Sequence, residues 1–81
     1  MRYFFHLREG ERLTRDASGA HFPDLVSAIN AAKARASALV DRAAGSGRAI
    51  AWGTEYEVED ASGRLVMVLP LSHFVEIRKA A

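Results

Sequence analysis

The sequence predicts an α+β fold of order ββαββ, an antiparallel sheet with one long helix packed on one face. Three observations predict it. Apolar residues recur at helical spacing from Leu25 to Ala43, Ile50 to Val58 alternates with a row of glutamates, and the tetrapeptide Asp-Ala-Ser-Gly occurs twice as a turn signal.

Arg2 to Arg8 is an aromatic run, with Tyr3, Phe5 and Leu7 on one face and Phe4 and His6 on the other. Glu9-Gly10 turns the chain, and Glu11 to Arg15 returns it as a short second strand. Asp16-Ala17-Ser18-Gly19 and Asp60-Ala61-Ser62-Gly63 share one chemistry: the Asp carboxylate accepts from nearby backbone, and the Gly takes the positive φ that closes the turn. The second copy is a hairpin tip, and the first closes either a hairpin or a loop.

Asp24 is the expected N-cap of the helix. Leu25, Ile29, Ala32, Ala36, Leu39 and Ala43 form its apolar stripe, and Gly45 and Gly47 are expected to end it as left-handed caps. Ile50, Trp52, Thr54, Tyr56 and Val58, interleaved with Glu55, Glu57 and Glu59, read as a half-buried strand. Leu65-Val66-Met67-Val68-Leu69 follows, apolar on both faces, and Pro70 ends the ladder. Residues 72–81 are left open between a capped turn holding Phe74, Val75 and Ile77 and an added edge strand.

The 81 residues make a single domain. Such a chain sits near the lower limit of independent stability, and with no cysteine it has neither disulfides nor a thiolate zinc site to help it. Self-association is the remaining inexpensive stabiliser. A net charge of +1 argues against a dedicated nucleic-acid or polybasic membrane binder. The charge is uneven: residues 25–53 hold Lys33, Arg35, Arg42 and Arg48 against Asp41, whereas residues 54–81 hold three cations against five anions. No segment approaches the roughly 18 apolar residues of a membrane span, and Met1 to His6 reads as a strand and not as a leader. A cytoplasmic location is the expectation.

The sheet carries more apolar surface than one helix can cover. Four strands about 4.8 Å apart outspan a helix about 10 Å wide. Alternation places Phe4, His6, Val66 and Val68 on the face opposite Tyr3, Phe5, Leu7, Leu65, Met67 and Leu69. That second face needs a cover, either the Phe74–Ile77 tail or another protein chain. Small outward helix residues, Ser27, Ala31, Ala34 and Ala38, are compatible with the close approach of a partner.

The strings Arg2-Tyr3-Phe4-Phe5-His6-Leu7-Arg8-Glu9-Gly10, then Asp16, Gly19 and Pro23-Asp24-Leu25 before an Ala/Arg-rich helix, resemble a family of small bacterial proteins of unknown function. Its members open RYFFH with an R-(D/E)-G turn and carry D-x-x-G and PDL further on. The resemblance implies the fold outline and no activity, and this sequence departs from it at Ser27, where an acidic residue is usual. Phe22-Pro23-Asp24-Leu25 before Ala28 to Leu39 also resembles the HicB-type antitoxins, which implies a small partner-binding fold.

His6, His21 and His73 are the neutral-pH acid–base groups, and nothing in their spacing demands convergence on a metal. No G-x-S-x-G elbow, Walker loop or H-E-x-x-H occurs. Glu55, Glu57 and Glu59 read as a solvated outer row. The residues therefore point to a non-catalytic interaction or regulatory module, without cofactor or metal, that forms a homodimer or takes an unidentified protein partner. Its expected interface is Phe4, His6, Val66, Val68 and Phe74. The alternative is an antitoxin-like or RNA/DNA-binding regulator using Arg35 and Arg42, seven apart on one helix face, with Tyr3, Phe4 or Trp52 to stack on bases.

Overall fold

The computed structural model describes residues 1–75. It contains β1 (Arg2–Glu9), β2 (Arg12–Thr14), β3 (Ala20–His21), α1 (Leu25–Gly45), β4 (Glu55–Asp60) and β5 (Leu65–Pro70), followed by a helical turn at residues 72–75. The architecture is the expected α+β one, an antiparallel sheet with a long helix. Its strand order is β2-β1-β4-β5, with β3 also paired to β1. Five strands replace the four expected, because the first Asp-Ala-Ser-Gly is a loop that returns the chain to β1 as β3.

β1 is the spine. One edge pairs with β4 from Tyr3↔Asp60 to Arg8↔Glu55. Its other edge pairs with β2 at Leu7–Glu9 and with β3 at Arg2–Tyr3. Tyr3, Phe5, Val58 and Leu69 form the buried helix-side layer of the sheet, with Tyr56 and Met67 packed against it.

Asp24 caps α1, its carboxylate accepting from the Ser27 N–H at 2.7 Å. The buried stripe is Ala28, Ala32, Ala36, Val40 and Ala43. It lies beside the expected one: Leu25 is exposed and Ile29 and Leu39 are half-buried. Large rings come from the sheet, so the small helix residues face them and the larger ones flank the contact. Ala31 and Ser27, expected to face outward, are half-buried for the same reason. Of the two expected glycine caps, Gly45 is the last helical residue and Gly47 alone takes a positive φ, 71°.

Two strand boundaries differ from the sequence reading. Ile50 and Trp52 precede β4 in a loop, where the Trp52 ring is 87% exposed. In β5, Val58 pairs with Met67 but Glu59 pairs with Leu65, so Val66 is an extra residue in a β-bulge. The bulge breaks the period-2 alternation: Val66 packs toward the core cluster and Leu65 joins the face of Glu59. Phe74 also packs, half-buried, against the core. The part of the Phe74–Ile77 tail beyond Val75 lies outside the described residues.

Gly19 and Gly63 close the two Asp-Ala-Ser-Gly turns at φ 66° and 84°. A Cβ on Gly19 would meet the Tyr3 carbonyl oxygen at 2.7 Å and the Phe4 ring at 2.9 Å, whereas one on Gly63 meets nothing within 4 Å. Gly63→Ala should cost only the left-handed backbone strain, about 1–2 kcal/mol. Gly19→Ala should cost that plus about 1–3 kcal/mol of overpacking. Urea midpoints of the two variants check the order, and equal losses would mean that the Gly19 contact is slack.

Candidate functional site

The sheet face away from α1 carries a shallow groove between the two Asp-Ala-Ser-Gly turns. Phe4 and His6 line it from β1, Glu59 and Asp60 from β4, and Arg15 and Asp16 from the incoming loop. Its volume is about 260 Å³, below the roughly 300–1,000 Å³ usual for small-molecule sites. The walls are built by the sequence repeat. Asp60 accepts from the backbone N–H groups of Ser62 and Arg64 at 2.9 and 3.1 Å, and from the Ser62 hydroxyl at 2.6 Å. Asp16 serves more of the fold than Asp60 does.

Between β2 and β3 the outer edge of β1 has no strand beside it, and the Phe5 N–H points into that gap. The Asp16 carboxylate accepts this N–H at 3.1 Å and that of Gly19 at 3.1 Å. The Asp16 N–H in turn donates to His6 Nδ1 at 2.9 Å. His6 Nδ1 therefore carries no proton, and Nε2–H donates to Glu59 Oε1 at 3.0 Å. Both ring nitrogens are committed, and the ring, 3% exposed, is covered from within the chain. The expected cover of His6 is the Phe74–Ile77 tail or another chain; in the structure the loop carrying Asp16 lies against it. Phe4 is half-buried beneath Gly19 and stacks near His6, ring centroids 6.4 Å apart. Beside them Arg8 pairs with Glu57.

The carboxylates respond to these contacts. Burial pushes the Asp16 carboxyl up, but the Phe5 and Gly19 N–H donors and the Arg35 charge outweigh it and hold it below the usual carboxylate range. The Ser62 hydroxyl and the Arg64 N–H lower Asp60, and the Ser27 N–H and hydroxyl lower Asp24. Arg8 is raised by its hydrogen bond to Glu57.

The other sequence-predicted residues lie apart from the groove. Val68 is on its face but on β5, 42% exposed beside Glu57, and Leu65, which the alternation assigned to the helix side, is 50% exposed there. Val66 and Phe74 belong to the core side. The Arg35 guanidinium lies over the Phe5 ring, 4.4 Å from its centroid, while Arg42 sits in the exposed last turn of α1. His21 touches Arg2, and His73 packs edge-on to Phe74, so the three histidines stand at separate places. Among the described residues no group of three or more His, Cys, Asp or Glu side chains is placed to hold a metal. No helix among them is long and apolar enough to cross a membrane.

Sequence reasoning assigned Asp16 only its turn and missed its reach across to Phe5 and His6. The signal available was the D-x-x-G string, repeated but placed before a segment too short to make a hairpin of its own.

A family model, Domain of unknown function (DUF6894), matches residues 2–72. No curated protein and no solved structure matches the chain.

The depressed carboxyls set the acid response. A group whose pKa is lower in the folded chain adds stability that is present above its unfolded pKa and lost as pH falls through the folded one. The urea midpoint should therefore hold steady near neutrality and fall below about pH 4. Asp16→Ala should lower stability at pH 7 by about 1–3 kcal/mol by leaving the Phe5 N–H without its acceptor. It should also shorten the acid loss, and an undiminished acid slope in this variant would refute the Asp16 assignment.

Proposed function

The chain belongs to the DUF6894 family of domains, and on that premise we propose that it is a non-catalytic interaction module. It self-associates at the β5 border of the sheet face that α1 leaves uncovered. The observation that carries this reading is the β5 side of that face, where Leu65 and Val68 are 50% and 42% exposed on neighbouring positions of an uncharged strand. A groove built for catalysis would hold a reactive group in reserve. Here the acid–base group, His6, has both nitrogens engaged by Asp16 and Glu59, and the Ser62 hydroxyl is engaged by Asp60. These bonds tie the loops to the sheet, a structural task.

The nucleic-acid reading draws less support. Arg35 is stacked on Phe5, and the uncovered face carries Glu55, Glu57 and Glu59, which repel phosphate.

Light scattering over a hundredfold concentration range should show a monomer–dimer equilibrium. Leu65→Glu, which places a charge in the proposed contact and removes nothing from the core, should weaken association at least tenfold with an unchanged far-ultraviolet spectrum. A wild-type chain that stays monomeric throughout would overturn the proposal.

A further inference from the structure

The two edges of the sheet are treated differently. On the β1 side the outer edge of β1 is screened by short strands: β2 and β3, three and two residues long, pair with its ends, and Asp16 takes the Phe5 N–H between them. Such screening is the usual defence against strand addition. At the other edge, among the described residues, β5 has a strand on one side only. It carries no lysine, arginine or acid over Leu65–Pro70.

The pairing parity shows what that edge offers. The Leu71 N–H donates to the Thr54 carbonyl at 2.9 Å, so Leu71 faces inward to the ladder. Backbone groups alternate in direction along an antiparallel strand, so Leu69 and Met67 also face β4, while Val68 and Pro70 face out. Pro70 has no N–H to offer, which is where proline is tolerated in an edge strand. Val68 is thus the outward-facing residue of this stretch with both a free N–H and a free C=O, and its side chain lies exposed on the uncovered face.

Charge decides between the two ways a second copy could meet this region. Stacking two uncovered faces would bring the Glu55–Glu57–Glu59 rows together and desolvate the Arg8–Glu57 and His6–Glu59 pairs. Edge pairing brings together two uncharged strands and leaves the Arg8–Glu57 ion pair and the His6–Glu59 hydrogen bond as they stand. We infer that the second copy docks strand to strand, β5 antiparallel to β5 about a two-fold axis at Val68, joining the two sheets into one. The two Val68 residues exchange N–H···O=C bonds, and Leu65 and Val68 lie along the seam. This deepens the self-association reading and rests on it.

The chain has no cysteine, so a single introduced one reports cleanly. A hydrogen-bonded antiparallel pair has Cα atoms about 5.5 Å apart, inside the disulfide range of roughly 4.4–6.8 Å. Val68→Cys should oxidise to a covalent dimer nearly completely under mild conditions. Glu57→Cys, one strand inward on each copy and so about 14 Å from its mate, should not. Val68→Lys, which sets two like charges on the axis without touching the β4 ladder, should weaken association at least tenfold in light scattering. If the wild-type chain dimerises but Glu57→Cys crosslinks and Val68→Cys does not, the edge geometry is overturned and self-association stands. A monomeric wild-type chain overturns both.

Discussion

The fold turns on one carboxylate bridging a gap in a strand edge. β1 is too long for either of its short neighbours, and between them the Phe5 N–H faces a loop instead of a strand. A buried backbone donor without an acceptor costs about 1–3 kcal/mol, a large share of what a domain this small can hold in reserve. Asp16 supplies the acceptor. The same residue shapes its own turn through Gly19 and orients the His6 ring through its N–H. Because His6 then reaches Glu59, the loop at one edge is linked across β1 to the middle of the sheet. The groove on the uncovered face is a by-product of this linkage.

On the helix side the constraint is steric. Tyr3 and Phe5, with Phe22 packed on both, fill the space over β1, and α1 approaches with Ala28, Ala32 and Ala36 fully buried. Alanine contributes little apolar area per residue but allows close approach and favours the helix. Arg35 closes the flank, its guanidinium over Phe5 and its charge near Asp16. Both layers therefore meet at Phe5: its ring holds the helix and its amide holds the loop.

What could be read from the residues follows from how local each signal is. The helix, its Asp24 cap and the Asp60 turn are written in spacing within a few residues and stand where expected, whereas the strand expected from Ile50 begins only at Glu55. The β5 bulge is not local. It arises where a strand apolar on both faces meets β4, and period-2 alternation has no term for an added residue, so Leu65 and Val66 exchange sides. The cover over His6 was illegible for a related reason: Asp16 and His6 are ten residues apart, and neither residue type announces the other. The surplus of apolar surface was legible, but its location on β5 required the pairing register.

The pairing of β1 with β4 has a consequence for how the chain acquires its structure. Phe5 and Val58 lie opposite each other but are separated by most of the sequence, and closing so long a loop is entropically slow. On the ribosome the first strand emerges long before its central neighbour exists. In that interval β2, β3 and the Asp16 turn are the partners within reach. The edge closure that protects the finished sheet is thus also the structure available to shelter its most aromatic strand during synthesis.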